Sequence, residues 1–313
     1  MNVIETQDLT KVFPGRTAVA NLNLEVREGE IYGFLGPNGA GKTTTIRMLA
    51  GILRPTSGRA SVAGHDLRAD LDGVRASIGL LPESIGYYGW MTPVEYLRFF
   101  ADLYGVRPAE APGRIAGLMK QVGLSDRQQS RMATFSRGMR ARLGIARALV
   151  HRPRVVILDE PTLGLDPLGQ RDILELMQHV NREEGATIFL SSHALDQVGH
   201  LCTRVGILNE GHLVAQGTAA DLSRRLELPS GLHLTVSDAG LAQQIVGRLH
   251  RDAGVAVVDP ARLVVTPTHG EPRVDALVRA LVQAGVEVRE VVSGTPSLED
   301  VFFALVRGER SAA

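Results

Sequence analysis

The stretch that decides the fold class is Gly36-Pro-Asn-Gly-Ala-Gly-Lys-Thr43. It follows an apolar run, Ile31–Leu35, and precedes a helical pattern that ends at Gly51. A strand that leads through a glycine-rich loop into a helix is the opening unit of an α/β layer fold. The spacing Gly-x4-Gly-Lys-Thr, in this context of strand and helix, predicts a P-loop.

The residue types of this loop suit the phosphate groups of a nucleotide. Glycines let backbone N–H groups turn toward phosphate oxygens, and the start of a helix adds further donors and a positive dipole. Lys42 supplies a point charge for the β- and γ-phosphates, and the Thr43 hydroxyl can bind Mg²⁺. The alternative, an ordinary glycine-rich turn, does not account for the flanking strand and helix.

A second candidate site lies at the end of the predicted strand Val155–Leu158, which leads into Asp159 and Glu160. Carboxylates at the carboxyl end of a buried strand are costly unless they are paired. We predict that Asp159 orients a metal ion and that Glu160 acts as the general base on water. His193 follows the end of the next predicted strand and is predicted to contact the γ-phosphate. The alternatives are helix-capping acids before Pro161 and a plain turn histidine.

The segment Phe135-Ser-Arg-Gly-Met139 precedes Asp159 and Glu160, and Leu165-Asp166 follows them. With the P-loop and His193, this order of motifs resembles the nucleotide-binding subunits of ATP-binding cassette (ABC) transporters. The resemblance covers about residues 3 to 220.

The resemblance implies that the nucleotide is ATP, held with Mg²⁺, and that the adenine stacks on Phe13. The loop residues expected to bind ATP are Gly36, Pro37, Asn38, Gly39, Ala40, Gly41, Lys42, Thr43 and Thr44. It also implies a head-to-tail homodimer with two ATP molecules between the subunits. The residues expected to act in trans are Ser136, Arg137, Gly138 and Asp166.

Two motifs depart from the family pattern. Arg137 stands where the signature normally has a glycine, and Met139 stands where it has glutamine. Because the family contact uses the serine hydroxyl and backbone N–H groups, Arg137 does not have to abolish it. The second departure is Glu83, which replaces a glutamine in Leu80-Leu-Pro-Glu-Ser84. The expected metal ligands are therefore Thr43, Asp159 and Glu83.

Seven of the fourteen aromatic residues lie between Tyr87 and Tyr104. In the family, the surface after the Glu83 position receives a cytoplasmic helix of the membrane permease. We therefore predict permease docking near Glu83, Tyr87, Tyr88 and Trp90, with core packing as the alternative. The remaining aromatics are expected to pack a helical subdomain; they are Tyr96, Phe99, Phe100 and Tyr104.

Composition excludes several classes of protein. The chain has 313 residues, with 34 Lys+Arg balancing 34 Asp+Glu, so bulk binding of nucleic acid is not expected. With 44% apolar and 22% charged residues, it is not a disordered chain. It has one cysteine and no apolar run long enough to span a membrane, and the pattern of its first residues does not predict a secretory leader. We expect it at the cytoplasmic face of the membrane, attached through a permease.

The segment 127–154 carries eight arginines and no acidic residue. One interpretation is a solvated helix rich in arginine, because charge runs are usually just solvated. The other is a local positive field that favours a triphosphate at the dimer interface.

The chain divides into two predicted domains. Residues 1–225 form an ABC ATPase domain with a mixed sheet core and a helical subdomain at about 86–150. The pattern breaks at Leu228–Gly231, and residues 230–313 follow as a small accessory domain. Its β-α-β-β-α-β order predicts a ferredoxin-like α+β fold.

The terminal motif Thr295–Val306 and the Leu-Pro-Glu sequence are similar to those of bacterial drug- and antibiotic-resistance exporters. The predicted function is ATP hydrolysis that powers export through a separate permease. Three alternatives stay open: a soluble ABC ATPase in a non-transport assembly, a transporter ATPase for lipid, polysaccharide or metal-related cargo, and a module that holds ATP without turnover. Glu160 and His193 argue against the last.

Overall fold

The computed structural model describes residues 1–84, 86–195, 199–226, 231–249, 253–266, 274–294 and 298–308. Contacts between residues divide the chain into two compact units, Met1–Gly217 and Thr218–Ala313. The predicted break at 228–230 and the start of the terminal motif at 295–297 lie outside the described residues. Within the described ranges, no helix is both long and apolar enough to cross a membrane.

The first unit contains strands and helices in alternation. Its strands are β1 (Asn2–Phe13), β2 (Arg16–Leu22), β3 (Glu25–Arg27), β4 (Ile31–Leu35), β5 (Ser57–Val62), β6 (His65–Asp66), β7 (Ile78–Leu81), β8 (Val155–Asp159), β9 (Thr187–Ser192), β10 (Arg204–Asn209) and β11 (His212–Gly217). Its helices are α1 (Lys42–Leu49), α2 (Leu71–Ser77), α3 (Pro93–Leu103), α4 (Ala111–Gln121), α5 (Arg137–Leu149) and α6 (Pro167–Glu184).

The central sheet positions the candidate site. Its strand order is β11-β10-β4-β9-β8-β7, parallel throughout except for β11. Every residue of β4, β8 and β9 is buried, as expected for parallel strands covered on both faces. Because parallel strands end at the same edge, the glycine loop, Asp159 and His193 meet at the carboxyl end of this sheet.

A second, antiparallel sheet has the order β2-β1-β5-β6, with β3 also paired to β1. The apolar run Leu22–Val26 predicts a single strand, and that prediction is wrong: the run is divided between β2 and β3, which pair with opposite halves of β1. The Thr6 side chain holds the break, because its Oγ1 donates to the Leu22 carbonyl at 2.7 Å and accepts from the Leu24 N–H at 2.8 Å.

One apolar core joins the two sheets and α1. It includes Ile4 of β1, Tyr32 and Phe34 of β4, Ile46 of α1 and Phe189 of β9, all at most 1% exposed. The rings of Tyr32 and Phe189 stack with centroids 5.6 Å apart. Burial of each such side chain stabilises the fold by about 1.5–3 kcal/mol, so this core fixes the base from which the glycine loop projects.

The helical subdomain begins with a capping box, which the sequence Thr92-Pro-Val-Glu95 predicts. The Thr92 N–H donates to Glu95 Oε2 at 2.7 Å, and the Glu95 N–H donates to Thr92 Oγ1 at 3.3 Å. Tyr96 is fully buried, which confirms its predicted core position. Phe99 is 44% exposed, so its predicted core position is wrong; it contacts Tyr88 in an exposed ring cluster instead.

The second unit follows the predicted order. Its elements are α7 (Ala219–Arg225), β12 (Gly231–Val236), α8 (Ala239–Leu249), β13 (Gly254–Asp259), β14 (Arg262–Thr266), α9 (Val274–Gln283), β15 (Val288–Gly294) and α10 (Leu298–Gly308). The antiparallel sheet has the order β13-β14-β12-β15. This β-α-β-β-α-β arrangement is the ferredoxin-like α+β fold that the sequence predicts.

Candidate functional site

The loop between β4 and α1 requires glycine at two positions. A Cβ on Gly41 would lie 2.5 Å from the Ala18 carbonyl oxygen, and Gly41 has a φ of 111°. A Cβ on Gly36 would overlap the carbonyl group of Leu208, within 3.3 Å of its carbon. Helix α1 begins at Lys42, directly after the loop. The first N–H groups of a helix attract anions, so the loop and helix together form an anion-binding corner.

Lys42 is buried at the base of this corner. Its Nζ donates to the Gly36 carbonyl at 2.7 Å and to the Pro37 carbonyl at 3.3 Å. The same Nζ lies 3.4 Å from Glu160 Oε1. The loop itself therefore fixes the ammonium group of Lys42. Its third partner is the Glu160 carboxylate, which a phosphate oxygen could replace.

Asp159 ends β8 and is 3% exposed. Its Oδ1 accepts hydrogen bonds from Ser191 Oγ at 2.7 Å and from Thr43 Oγ1 at 3.3 Å. Hydroxyl and carboxylate oxygens are the ligands that Mg²⁺ prefers, so these two side chains fit that ion. Among the described residues, no group of three or more His, Cys, Asp and Glu forms a metal site by itself.

Sequence analysis did not identify Ser191, which lies beside Asp159 in the pairing of β8 with β9. Its Oγ also accepts the Glu160 N–H at 3.0 Å, so one hydroxyl ties both acidic residues in place. The residue stands two positions before His193, directly after the apolar residues Ile188, Phe189 and Leu190 of β9. A polar residue in a strand with so apolar a centre is the sequence signal that could have identified Ser191.

Glu160 is the centre of the site. Its side chain is 9% exposed, and its Oε2 lies 2.9 Å from Nδ1 of the more exposed His193. With Lys42 on the other oxygen, the carboxylate is paired from both sides. Glu160 has a φ of 49°, an unusual backbone conformation that costs on the order of 1–3 kcal/mol and is typical of functional sites.

A cavity of about 480 Å³ opens in front of these groups. It brings together most of the predicted residues, namely Phe13, Asn38, Gly39, Gly41, Lys42, Thr43, Thr44, Glu83, Glu160 and His193. Its remaining lining residues are Arg16, Ala18 and Leu163. Phe13 is 39% exposed, which leaves a ring face available for stacking at one end of the cavity. The volume lies within the range of small-molecule sites.

Arg16 is a lining residue that sequence analysis missed. It pairs with Phe13 across the turn between β1 and β2, and its Nη2 donates to the Gly39 carbonyl at 2.7 Å. The guanidinium therefore adds a second positive charge, besides that of Lys42, to the lining of the cavity. Its distance of three residues from Phe13 on a hairpin was the signal that could have found it.

The signature residues lie outside this cavity. Ser136 caps α5 by accepting the Met139 N–H at 3.2 Å, and Asp166 caps α6 by accepting the Gly169 N–H at 3.2 Å. Ser136, Gly138 and Asp166 are absent from the lining of the described cavity, so one copy of the chain does not bring them to Lys42.

A second cavity of about 200 Å³ lies behind Glu160. Glu83 and Glu160 line both cavities, whereas Arg137, Arg140 and Leu165 line only the second. Glu83 is thus close enough to the site for the expected metal role, although it shares no hydrogen bond with Thr43 or Asp159 among the described contacts.

The loop after Glu83 carries Tyr87, Tyr88 and Trp90, and it leads from the second cavity to the surface. Tyr87 Oη donates to the Arg140 carbonyl at 2.5 Å, and burial raises the pKa of Tyr87, so the hydroxyl stays a donor. Tyr88 is 46% and Trp90 65% exposed, and their ring centroids are 6.1 Å apart. With Phe99, whose ring lies 6.3 Å from Tyr88, they form an exposed aromatic patch.

The arginines of segment 127–154 are largely engaged within the chain. Arg142 pairs with Asp172 at 2.6 Å, and Arg154 pairs with Glu28 at 2.7 Å. Arg147 donates to the Leu80 carbonyl at 2.8 Å. The segment is therefore neither a plain solvated helix nor a uniform positive field, because these charges tie α5 and β8 to neighbouring elements.

Comparison with known proteins shows which family of proteins this chain is similar to. The sequence profile described as "ABC transporter" matches residues 19–163. The chain is 33% identical over 305 residues to a linearmycin resistance ATP-binding protein of Bacillus subtilis, covering 97% of this chain and 98% of that protein. It is 37% identical to a bacitracin transport ATP-binding protein of Bacillus licheniformis, covering 98% of each.

A third relative is the daunorubicin/doxorubicin resistance ATP-binding protein of Streptomyces peucetius, which is 37% identical, with 96% of this chain and 92% of that protein covered. Among solved structures, an ATP-binding subunit of an ABC transporter superposes with a TM-score of 0.66 at 34% identity. That superposition covers 72% of this chain and 94% of the other.

We predict that Gly41→Ala lowers the thermal unfolding midpoint and weakens ATP binding, because the added Cβ meets the Ala18 carbonyl at a φ of 111°. Gly15→Ala is the matched control: Gly15 has a φ of 74°, but nothing lies within 4 Å of its added Cβ. Strain alone costs about 1–2 kcal/mol. Thermal unfolding with and without ATP measures both variants, and equal losses of stability would contradict the role of the overlap.

Proposed function

The chain belongs to the ABC transporter family as one of its ATP-binding, ATP-hydrolysing subunits, and from that premise we propose that it powers export of a drug- or antibiotic-type compound through a separate membrane permease. Relatives named for linearmycin resistance and bacitracin transport align with nearly its whole length, including the second unit. The observation that carries the catalytic part is the Glu160 carboxylate, held between Lys42 and His193 at the cavity.

ATP would lie along the cavity with its adenine on Phe13 and its phosphates on the loop Gly36–Thr44. Arg16 and Lys42 both line that cavity, so two positive charges would accompany the phosphate chain. Lys42 Nζ, now 3.4 Å from Glu160 Oε1, would exchange that carboxylate for an oxygen of the β- or γ-phosphate. Binding of ATP would thereby release one oxygen of Glu160 for chemistry.

Glu160 is proposed as the general base of hydrolysis. A water molecule attacks the γ-phosphorus, its proton passes to the Glu160 carboxylate, and the bond to the β-phosphate oxygen breaks to release ADP and phosphate. His193, on Glu160 Oε2, would orient the carboxylate and contact the γ-phosphate. Lys42 would offset the charge that develops on the γ-phosphate oxygens.

Thr43, Asp159 and Glu83 are proposed as the residues that hold Mg²⁺. The hydroxyl of Thr43 and the carboxylate of Asp159 already share a hydrogen bond, and Glu83 lines the same cavity. When bound, Mg²⁺ neutralises charge on the β- and γ-phosphate oxygens. Ser191 would keep Asp159 in one orientation for this purpose.

A homodimer is proposed because the signature residues lie apart from the cavity. Ser136 is exposed at the start of α5, a 13-residue helix with no acidic residue in its first turn. The backbone N–H groups at that helix terminus are suited to the phosphates of a nucleotide on the second subunit. Ser136, the backbone of Arg137 and Gly138, and Asp166 would act in trans.

The exposed patch of Tyr88, Trp90 and Phe99 is proposed as the contact with the permease, adjoining Tyr87 and Glu83. Large aromatic side chains that stay exposed are typical anchors of protein interfaces. Attachment there would keep the chain at the cytoplasmic face of the membrane. We assign residues 1–225 to the ATPase domain and 230–313 to an accessory domain, which contains none of the proposed ATP-binding residues.

We predict that Glu160→Gln lowers the rate of ATP hydrolysis by about 10²–10⁴-fold while ATP still binds, because the amide cannot accept the proton. Phosphate release and isothermal titration measure the two quantities. Glu175→Gln is the matched control, since Glu175 is an exposed carboxylate paired with Arg171. Hydrolysis by Glu160→Gln at the wild-type rate would refute the assignment of the base.

We predict that Trp90→Ala reduces recovery of the permease with the chain, since truncation of an aromatic anchor costs about 2 kcal/mol or more of binding energy. Affinity purification from cells that co-express both subunits measures the recovery, and ATP affinity is expected to stay unchanged. Leu103→Ala is the control, because Leu103 is 67% exposed on α3 but outside the aromatic patch. Equal recovery with the two variants would rule out the proposed contact.

A further inference from the structure

The arginine that departs from the family signature contacts another functional loop of its own chain. The guanidinium of Arg137 lies against the backbone of Gly164, in the turn that follows Glu160. A Cβ built on Gly164 would overlap Nη1 of Arg137 and lie 2.5 Å from Cζ. Gly164 has a φ of 67°, a backbone conformation that favours glycine.

A positive charge at position 137 is not stabilised by the dipole of α5 or by a carboxylate of the described chain. Arg137 is the first residue of α5, where a positive charge opposes the helix dipole. Among the described residues, no carboxylate forms an ion pair with it, whereas Arg142, five residues further along α5, pairs with Asp172. The packing on Gly164 is thus the specific contact that the structure gives this side chain.

The turn under Arg137 leads directly to the proposed base. The Leu163 N–H donates to the Glu160 carbonyl at 3.1 Å, and the Leu165 N–H donates to the Thr162 carbonyl at 3.2 Å. Glu160 begins this turn with a φ of 49°. A residue in such a conformation keeps it only when its surroundings hold it there. Ser191 holds the Glu160 N–H on one side, and Arg137 covers the turn on the other.

We propose that Arg137 is a positioning residue: its guanidinium packs on Gly164 and holds the turn 160–165, so that the Glu160 carboxylate stays between Lys42 and His193. Arg137 and Glu160 line the same small cavity, which is where this turn meets the start of α5. The effect of this turn on catalysis rests on the proposed role of Glu160 as the general base. The backbone N–H of Arg137 remains free to face a nucleotide on the second subunit.

The competing role for the guanidinium is a direct contact with phosphates bound by the second subunit. The two roles differ in a property of the nucleotide-free chain. If the side chain holds the turn, its removal loosens the turn without ATP present. If it binds phosphate in trans, its removal changes only the ATP-dependent dimer.

Hydrogen–deuterium exchange of the full-length, nucleotide-free protein distinguishes these roles. In Arg137→Ala we expect several-fold faster exchange of the Leu163 and Leu165 amides, because the turn opens more often. Arg137→Lys should restore part of the protection. Arg140→Ala is the matched control, since Arg140 lines the same cavity but lies over the Tyr87 ring, and it should leave these amides unchanged. Unchanged exchange in Arg137→Ala would overturn the proposal.

Kinetics and assembly provide a second readout. Misplacement of the base should lower kcat of Arg137→Ala by about tenfold or more with little change in KM for ATP. In the Glu160→Gln background, Arg137→Ala should still dimerise with ATP in sedimentation velocity. Loss of that dimer with unchanged exchange would assign the guanidinium to the phosphates of the second subunit and overturn the proposal. Failure of Glu160 as the base would appear separately, as normal hydrolysis by Glu160→Gln.

Discussion

The site depends on one constraint: a nearly buried carboxylate, Glu160, must remain charged at the end of a sheet. An unpaired charge in such a place is costly, and removal of one partner of a buried pair typically destabilises a protein by about 3–5 kcal/mol. Lys42 and His193 pair with the two oxygens of Glu160 and meet this need. Since Lys42 comes from the glycine loop and His193 from the end of β9, the constraint draws together three segments that are distant in the sequence.

The need to hold the Glu160 carboxylate in place also accounts for the contacts of the backbone around it. Glu160 has a positive φ, and its N–H is held by Ser191 while the following turn is covered by Arg137. Ser191 also bonds Asp159, so the carboxylates that are proposed to bind the metal and to accept the proton share one support. A phosphate that takes the place of Glu160 beside Lys42 would leave the carboxylate free to act on water. Lys42 and Glu160 would thus form an ion pair before ATP binds, and would act on the phosphate and on water once it is bound.

Local sequence signals were sufficient for the parts of this site that lie in one segment. The glycine loop, the capping box at Thr92 and the buried strand Val155–Leu158 each have a spacing that only one local structure satisfies. The ferredoxin-like order of the second unit could also be predicted, because its strands and helices alternate with clear period changes. The comparisons with known proteins confirm the ABC family to which the motifs pointed.

What the sequence did not reveal depends on contacts between distant segments. Arg16 reaches Gly39 only because β1 and β2 fold beside the loop, and Ser191 reaches Asp159 only because β9 pairs with β8. The split of Leu22–Val26 follows from the Thr6 side chain, which no pattern within that run could indicate. Phe99 fits a helical apolar stripe, yet it is 44% exposed and contacts Tyr88, a residue from outside that helix.

The most direct test of the central claim is isothermal titration of ATP into Lys42→Ala, together with its circular dichroism spectrum. Lys42 is the group through which the loop would exchange a carboxylate for a phosphate. The account predicts that ATP binding is lost while the spectrum keeps the secondary structure of the wild type. An ATP affinity equal to that of the wild type would contradict it.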